Sequence, residues 1–368
     1  MKILIAPDKF KDSLSARQVA ANIAIGLRET LPNAQIQIVP VADGGEGTAS
    51  VIADSLNGTW IECPAHDSLG REIRARYAWV DVDQLAIMEM SEAAGLRRLT
   101  TEQRDLPRAS TFGVGEMLLD ATKRGARQII VGLGGSATND GGLGVARALG
   151  FRFCDNRNEE LPLDVTDLIR LARIVAAESA TLAPITIAAD VMNPLLGERG
   201  ATHMFGPQKG ATPDEIRLLE KALTKLAEVA AHDLKCDFRN EPGAGAAGGL
   251  GFGLMTFCRA TMRSGFELVA EKIRLEELIR NVDVVVTGEG SLDSQTLEGK
   301  APGGVAQLSG KLGKRIFAIT GLSSRDARVE GLFDEVLPLM RDSISEAESI
   351  KRAPELLRKR ARELADLL

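Results

Sequence analysis

Residues that hold zinc or build disulfide frameworks are scarce in this chain. Its three histidines form no HExxH pair, and its cysteines form no CxxC pair, since they are the widely spaced Cys63, Cys154, Cys236 and Cys258. This spacing argues against a zinc site and against a network of disulfide bonds. We therefore expect a reducing compartment, the cytoplasm.

Aromatic side chains are also scarce, and the chain has no excess of positive charge. Aromatic residues make up 4% of the chain, and the formal net charge is -6. Proteins that bind nucleic acid usually carry a basic surface, and many use aromatic side chains on which bases stack. The composition therefore predicts no nucleic-acid partner, and an anionic substrate has to be bound by a local basic pocket.

Long apolar runs are missing as well. The longest uncharged run, Pro242–Cys258, is rich in glycine and is shorter than the roughly 20 apolar residues of a membrane-spanning helix. The apolar stretch Ile3–Pro7 is too short for the core of a signal peptide. We expect a soluble protein that is not exported and has no membrane partner.

What is present is an ordinary globular composition arranged in alternating strands and helices. The 368 residues are 44% hydrophobic and 26% charged, which suits about two domains of roughly 150 residues each. The first residues predict a β-α-β-α-β order, with strands at Lys2–Ala6, Ile36–Val41 and Trp60–Cys63 and helices at Ser15–Thr30 and Thr48–Leu56. This order predicts a parallel sheet covered by helices.

Beyond residue 70 the pattern changes. Alternating hydrophobicity predicts an antiparallel hairpin formed by Ile73–Val80 and Leu85–Met90. Further strands are predicted at Gln128–Val131, Ile185–Ala188, Val282–Val286, Arg315–Ile319 and Glu335–Leu339. Helices are predicted at Val114–Arg124, Leu143–Leu149, Pro213–Leu234 (with Thr212 as its cap), Leu268–Ile279, Gly303–Leu312 and Ser345–Leu367. The basic side chains of the last helix are expected to form a solvated face.

Together these elements predict an α/β fold with two domains. We expect a Rossmann-like (flavodoxin-like) parallel-sheet domain built from both chain ends, residues 1–66 and 268–368. The intervening residues 67–267 are expected to form an inserted mixed α/β domain. A small-molecule site is expected in the cleft between the two domains.

Three loops of the sequence mix glycines with carboxylates and follow predicted strands: Gly132–Gly142, Thr287–Lys300 and Ala42–Thr48. A strand that turns through glycine into a helix gathers backbone N–H groups at the helix N-terminus, which suits a phosphate. Carboxylates in such loops can hold a magnesium ion that bridges to the phosphate. The three loops therefore point toward phosphoryl transfer.

Other known nucleotide-binding and catalytic motifs are absent from this sequence or lie in the wrong context. The P-loop pattern GxxxxGK[ST] is absent, and the one GxGxxG match, Gly243–Gly248, follows Asn240–Pro242 and not a strand. No GxSxG elbow, protein-kinase motif set or Ser-His-Asp order can be assembled. The residues alone thus predict a phosphate-handling α/β enzyme that uses a hard cation.

Six strings of the sequence closely resemble those of the type I glycerate kinases. They run in one unbroken order from residue 1 to about residue 340 and are Ala6–Ser15, Val41–Thr48, Gly132–Gly142, Phe205–Ala211, Pro242–Gly249 and Thr287–Gly290. The resemblance implies a Rossmann-like domain with a second α/β domain. It also implies phosphorylation of D-glycerate with ATP and Mg²⁺, typically giving 2-phosphoglycerate, with 3-phosphoglycerate left open. A homodimer is also left open.

Three places depart from the family's pattern. Ser291 stands where the family usually has arginine, and Lys9 stands where serine is common. The segment Leu161–Arg173 lacks glycines that are often found there. The change at Ser291 removes a cation and bears on phosphate affinity or on the choice of acceptor.

The resemblance and the chemistry of the loops together give a predicted site. Phosphate or substrate binding is predicted for Asp8, Lys9, Lys11, Ser13, Gly44, Gly45, Gly134, Gly135, Ser136, Thr138, Asn139, Asn193, Gly288 and Gly290. Magnesium ligands are predicted at Asp140, Glu289 and Asp293. Asp190 is predicted to accept the proton of the glycerate hydroxyl, with Asp43 next in rank. Lys300 and Lys209 are predicted to stabilise the transferred charge.

Each prediction has a competitor. A turn, a helix cap or an exposed loop would explain the same residues without function. Pro242–Gly253 is either a backbone cradle or a place of tight helix packing. Two other functions also stay open, an NAD-dependent oxidoreductase of a small hydroxy acid and a non-catalytic nucleotide-binding protein.

Overall fold

The computed structural model describes residues 1–11, 13–162, 164–177, 182–293, 296, 300–324, 326–341 and 344–368. Its strands are β1 (Lys2–Ile5), β2 (Gln35–Ile38), β3 (Thr59–His66), β4 (Glu72–Val80), β5 (Leu85–Glu89), β6 (Gln128–Gly132), β7 (Arg152–Cys154), β8 (Arg173–Val175), β9 (Ile185–Ala188), β10 (Thr261–Arg263), β11 (Val284–Thr287), β12 (Ser291–Leu292), β13 (Arg315–Thr320), β14 (Leu322–Ser323) and β15 (Glu335–Pro338).

The α-helices are α1 (Ala16–Thr30), α2 (Thr48–Leu56), α3 (Ser91–Ala94), α4 (Phe112–Lys123), α5 (Leu143–Ala148), α6 (Ala201–Phe205), α7 (Pro213–Leu234), α8 (Ala246–Cys258), α9 (Gly265–Lys272), α10 (Leu275–Arg280), α11 (Ala301–Lys311), α12 (Ala327–Glu330), α13 (Glu346–Lys351) and α14 (Ala353–Ala365). Short 3-10 turns occupy Leu96–Arg98, Thr101–Gln103, Val165–Arg170 and Pro207–Lys209. The mixed α/β architecture with parallel sheets agrees with the predicted fold class. Within the described ranges, each helix is too short or too polar to cross a membrane.

The chain divides into two compact units. The first contains residues 1–43, 50–56 and 264–368, and the second contains residues 44–49 and 57–263. The first unit is thus built from both ends of the chain. Its N-terminal part stops short of the predicted boundary at residue 66, because β3 pairs with β4 of the second unit.

The first unit is organised by a five-stranded parallel sheet in the order β15-β13-β11-β1-β2. Alternate side chains of its strands, such as Ile3, Val286 and Phe317, lie in one core with α1 and α14. Helix α11 packs on β11 and β13. Parallel strands need such crossover helices, because a tight turn cannot join their ends.

The contact between α1 and α14 is close enough to require glycine. A Cβ atom at Gly26 would lie 2.3 Å from the carbonyl oxygen of Arg358 and 2.7 Å from the Cβ of Ala361. Helix α1 begins with a capping box, in which Ser15 and Gln18 exchange side-chain to backbone hydrogen bonds. The sequence therefore fixes both where α1 starts and how closely α14 approaches it.

The second unit is built on a six-stranded sheet in the order β10-β9-β6-β5-β4-β3. Strands β10, β9, β6 and β5 are parallel, whereas β5-β4 and β4-β3 are antiparallel. The predicted hairpin of β4 and β5 is confirmed. The prediction that Trp60–Cys63 continues the first parallel sheet is wrong, because β3 forms eight residue pairs with β4.

Most predicted helices are found within a few residues of their expected bounds, and α7 begins at Pro213 behind the capping box of Thr212 and Glu215. The predictions of two long, continuous helices are wrong. The helix predicted over Leu268–Ile279 breaks between α9 and α10, where Arg274 has a left-handed φ of 56°. The last helix breaks at Arg352, because Pro354 in the next turn cannot donate the hydrogen bond that would continue α13.

Most of the basic side chains that were predicted to form a solvated face of the last helix are exposed, but one of them is buried. Arg360 is buried; its Nε donates to the carbonyl oxygen of Pro338 at 2.8 Å, and its Nη1 donates to both carboxylate oxygens of Glu363 at 2.7 Å. A buried guanidinium needs such partners because its charge loses water. Arg360 therefore joins α14 to the end of β15.

Candidate active site

Acidic residues follow three neighbouring strands of the first unit. Asp8 follows β1, Asp43 follows β2 and Glu289 follows β11. From β1 the sheet grows in one direction to β2 and in the other to β11, so the order of the strands reverses between β1 and β11. Ligands of open α/β sheets bind outside the carboxyl ends of the strands at such a switch point.

Backbone hydrogen bonds hold these acidic loops together. The Asp8 N–H donates to the carbonyl oxygen of Gly288 at 2.8 Å, and the Val41 N–H donates to that of Pro7 at 3.0 Å. Thr287 Oγ1 donates to the carbonyl oxygen of Ala6 at 2.7 Å. The loops after β1, β2 and β11 therefore form one framework.

Burial raises the pKa of two of these carboxyl groups. The pKa of Asp8 is raised to about 7, first by burial and then by the charge of Asp43. The pKa of Glu289 is raised to about 8, mainly by burial, although Lys300 and a 2.9 Å hydrogen bond from Thr296 Oγ1 act in the opposite direction. Titratable groups shifted in this way mark candidate functional sites.

A cavity of about 420 Å³ opens beside these carboxylates. The predicted site residues that line it are Asp8, Lys9, Lys11, Ser13, Asp43, Glu289, Gly290 and Lys300. The departure from the family's pattern, Ser291, lines it too. Lys300 directly precedes α11, and its Nζ lies 3.7 Å from a carboxylate oxygen of Asp293. The structure thus brings together acids and lysines that are almost 300 residues apart in sequence.

Two predicted residues of this unit have structural contacts. Gly288 packs so closely on β13 that a Cβ atom there would lie 2.0 Å from the carbonyl oxygen of Ile319. Ser13 Oγ donates to the carbonyl oxygen of Ile350 at 3.2 Å. Ser13 therefore connects the loop after β1 to α13.

In the second unit, the glycine loop that leads into α2 is capped by the protein itself. Glu89, the last residue of β5, is buried, and its Oε1 accepts hydrogen bonds from the N–H groups of Gly47 at 2.9 Å and Ala49 at 3.0 Å. Glu89 is not among the residues predicted from the sequence. Its only sequence signal is a carboxylate at the end of an otherwise apolar strand.

Glycines of this loop and of the loop after β6 allow neighbouring backbone segments to approach closely. A Cβ atom at Gly44 would lie 2.5 Å from the carbonyl oxygen of Ala188, and one at Gly134 would lie 2.5 Å from the Cα of Gly45. Gly44 and Gly135 also have positive φ values of 87° and 73°, which glycine adopts without strain. These contacts explain the predicted glycines by packing and turn geometry.

Asp140 fills the N-terminus of α5. This buried carboxylate accepts hydrogen bonds from the N–H groups of Thr111, Gly142 and Gly144 and from Thr111 Oγ1, at 2.8–3.0 Å. Four donors satisfy the carboxylate and stabilise its negative charge in the helix dipole. Asp140 therefore holds its own loop, and its role as a magnesium ligand stays a prediction.

The structure brings Lys209 to the loop after β6. The side chain is buried, and Nζ donates to Ser136 Oγ and to the carbonyl oxygen of Thr138, both at 2.7 Å. Burial lowers the pKa of Lys209 to about 7, and the charge of Asp140 opposes the shift. Asn139, also in this loop, donates through Nδ2 to Thr202 Oγ1 at 3.0 Å.

The remaining predicted residues follow β9. Asp190 is half-buried, and the Asn193 amide donates to the carbonyl oxygen of Arg199 at 2.7 Å within its own loop. The glycines of Pro242–Gly253 lie against other backbone; a Cβ atom at Gly248, for example, would lie 2.0 Å from the carbonyl oxygen of Thr138. Of the two interpretations of this segment, the contacts favour close packing.

The acids of the first unit have the chemistry for Mg²⁺ but do not complete a metal site. Among the residues that the structure describes, no group of three or more His, Cys, Asp or Glu side chains is arranged to hold a metal ion. Mg²⁺ in phosphoryl-transfer enzymes is commonly bound by one or two carboxylates together with substrate phosphates. Glu289 and Asp8, whose burial disfavours their charged forms, fit that kind of site.

Comparison with known proteins gives a consistent result along the chain. The model of the glycerate kinase family matches residues 3–368. The chain is 39% identical to "Glycerate kinase" of Bacillus subtilis (strain 168), over 99% of this chain and 97% of the relative. It is 42% identical to "Glycerate 2-kinase" of Escherichia coli (strain K12), over 89% and 87% respectively. A crystal structure of "putative glycerate kinase 2" from Salmonella typhimurium LT2 has a TM-score of 0.85 at 39% identity and covers 100% of this chain and 98% of that one.

The raised pKa of Glu289 predicts how stability depends on pH. Between its ordinary value of 4.5 and about 8, the folded protein binds more protons than the unfolded one, so the free energy of unfolding falls as pH rises through this window. Glu289→Gln, which does not titrate, is expected to remove much of that fall in urea denaturation at several pH values. Glu335→Gln, at an exposed position of β15, is the control. An unchanged slope in Glu289→Gln would contradict the assignment.

Proposed function

Because the chain belongs to the glycerate kinase family, we propose that this enzyme transfers the γ-phosphoryl group of ATP to D-glycerate. The proposed product is 2-phosphoglycerate, with 3-phosphoglycerate as the alternative. The observation that carries the proposal is the cavity at the switch point of the first unit, where Asp8, Asp43 and Glu289 meet Lys300. Acids for a metal and lysines for phosphates are what such a transfer needs.

We also propose that the first unit is a Rossmann-like (flavodoxin-like) nucleotide-binding domain. Numbered along the unit, its strands have the order 2-1-3-4-5, since β2-β1-β11-β13-β15 is the observed sheet. This is the order of doubly wound proteins that bind their ligand at the switch point between strands 1 and 3. The cavity lies at the carboxyl ends of the corresponding β1 and β11.

The lysines and the acids of the cavity have different proposed roles. Lys300, Lys9 and Lys11 line the cavity, and we propose that they neutralise phosphate oxygens and stabilise the charge on the moving phosphoryl group. Glu289, Asp8 and Asp293 are the candidates to hold Mg²⁺, which would supply further positive charge when bound. Phosphoryl transfer has a loose transition state, so positioning and charge contribute more than a strong base.

The transfer itself forms one bond and breaks one. A hydroxyl oxygen of glycerate bonds to the γ-phosphorus while the bond from that phosphorus to the β,γ-bridging oxygen breaks, and ADP leaves. The hydroxyl proton passes to a carboxylate. We propose Asp43 as this acceptor, since it lines the cavity with Asp8, Glu289 and Lys300, and we keep Asp190 as the second candidate.

The proposed function predicts ADP release that depends on both D-glycerate and Mg²⁺. A coupled assay of ADP release, with each component omitted in turn, measures this dependence, and ³¹P NMR of the product identifies the phosphorylated hydroxyl. Binding of ATP without turnover would instead support a non-catalytic nucleotide-binding protein. Consumption of NAD with a hydroxy acid would support the oxidoreductase.

Lys300 is expected to be the most important cation of the site. Lys300→Ala removes a positive charge beside the carboxylates and the proposed phosphates, and should lower kcat/KM for ATP by about 10²–10³. Lys311→Ala, an exposed position at the other end of the same helix, should stay within about twofold of the parent. The role of Lys300 is excluded if its variant also stays within a few-fold.

Asp43→Asn and Asp190→Asn together decide which carboxylate accepts the proton. Loss of a general base typically costs about 10²–10⁴ in rate, and we expect a loss of kcat of this size for Asp43→Asn. Asp190→Asn is expected to turn over within a few-fold of the parent. The reverse result would transfer the role to Asp190.

A further inference from the structure

The cavity of the first unit has an apolar end that the proposed chemistry does not use. Leu322 of β14, Leu339 and Met340 after β15, Ile350 of α13 and Ala353 of α14 line it. The proposed phosphates and Mg²⁺ involve only the charged end, formed by the loops after β1, β2 and β11. One cavity therefore joins a cluster of charges to an aliphatic wall.

Two side chains of this wall are unusually accessible for their size. Leu322 is 44% exposed and Ile350 is 41% exposed, whereas Leu339 and Ala353 beside them are buried. A single exposed aliphatic residue needs no explanation. Two that line one cavity with a buried apolar base have the character of a ligand pocket, in which a few polar groups set the orientation. The Glu346 carboxylate and the Ser349 hydroxyl belong to the same lining.

We propose that this apolar end binds the base of the donor nucleotide, with Leu322 and Ile350 contacting the ring faces. The proposal rests on the proposed function, since it needs a nucleotide whose phosphates lie at the charged end. A nucleotide has the same polarity as the cavity: it is anionic at one end and flat and largely apolar at the other. Glu346 accepts hydrogen bonds only, which suits an amino-bearing base such as adenine.

The geometry of the sheet supports this direction. The charged end lies beyond β1 and β11, and the apolar end lies beyond β13 and β15 on the same edge. The N–H groups of Leu339 and Met340 donate to the carbonyl oxygens of Thr320 and Gly321 at 2.6 and 3.1 Å, so the strand ends are tied together. A nucleotide laid along this edge passes from the switch point toward the edge strand.

A hydrogen bond also connects the two ends of the cavity. Ser13 Oγ, in the loop that carries Lys9 and Lys11, donates to the carbonyl oxygen of Ile350 at 3.2 Å. Helix α13 begins behind Ser345, whose hydroxyl accepts from the Glu348 N–H at 3.3 Å and caps the helix. Ser13 thus connects the loop that carries the lysines to the helix that carries part of the wall, as a site for one extended ligand requires.

Truncation of the wall tests the proposal. Ile350→Ala and Leu322→Ala should each raise KM for ATP by about tenfold, because a pocket loses roughly that factor or more when apolar contact is removed. KM for D-glycerate should stay within twofold. Ile38→Ala and Leu367→Ala are matched controls, since these side chains are 37% and 47% exposed and do not line the cavity; they should leave KM for ATP unchanged.

A phosphate probe without a base separates this subsite from the charged end. Magnesium tripolyphosphate, tested as a competitive inhibitor against ATP, should keep its inhibition constant in Ile350→Ala and Leu322→Ala. If the parent phosphorylates glycerate with ATP but both variants keep its KM, the base binds elsewhere and only this inference is overturned. If inhibition by tripolyphosphate weakens as much as ATP binding, the wall supports the phosphate end and the inference is also overturned. A parent without ATP-dependent activity overturns the proposed function as well.

Discussion

The order of strands in the first unit forces acidic loops together. Because β1 and β11 are parallel neighbours, the residues after them, Asp8 and Glu289, leave the same edge of the sheet, and both are buried there. Burial of a carboxylate without enough compensating charge favours its protonated form, and the raised pKa values of both groups express that cost. A cation that binds together with a phosphate ligand would relieve the same cost, so the raised pKa values and the proposed affinity for a metal-bound nucleotide have one origin. In the proposed function, the lysines around the cavity bind the phosphates of the nucleotide and the acids bind its metal ion.

The second unit uses similar loop sequences for a different purpose. Its two glycine loops lead into α2 and α5, and the helix N-termini would suit phosphate if their N–H groups were available. Glu89 already accepts from the loop before α2, and Asp140 accepts from three N–H groups around the start of α5. The protein supplies the anions itself, and the glycines let the two loops approach. A motif of glycine with carboxylate thus has two outcomes, and burial together with internal donors decides between them.

Prediction from the sequence is most accurate where local signals determine the structure. Periodicity, with Thr212 as the cap, predicts α7 to the residue, and alternation predicts the hairpin of β4 and β5. Prediction fails where tertiary partners determine the structure. The sequence pattern correctly predicts a strand at β3, but it does not say which sheet that strand joins. The break before α10 carries no glycine or proline. The break before α14 has a sequence signal, Pro354, but the predicted helix continued through it. For the site, the acids after β1, β2 and β11 were predicted and share a cavity, while Glu89 and the aliphatic wall depend on tertiary contacts that no motif records.

Lys209 and Lys300 have different surroundings in the structure, and these indicate different roles that the sequence could not distinguish. Lys209 is buried against a hydroxyl and a carbonyl oxygen, and its pKa falls to about 7. Burial disfavours the charged form of this side chain, and its two hydrogen bonds hold the loop that carries Ser136 and Thr138. Lys300 lies among carboxylates, 3.7 Å from Asp293, and it lowers the pKa values of Asp8 and Glu289. Stabilisation of a transferred phosphoryl group needs positive charge beside the phosphates, and Lys300 lines the cavity in which we propose that they bind. The same residue type, each beside a glycine in the sequence, thus gives a loop-holding group in one unit and the better candidate for catalysis in the other.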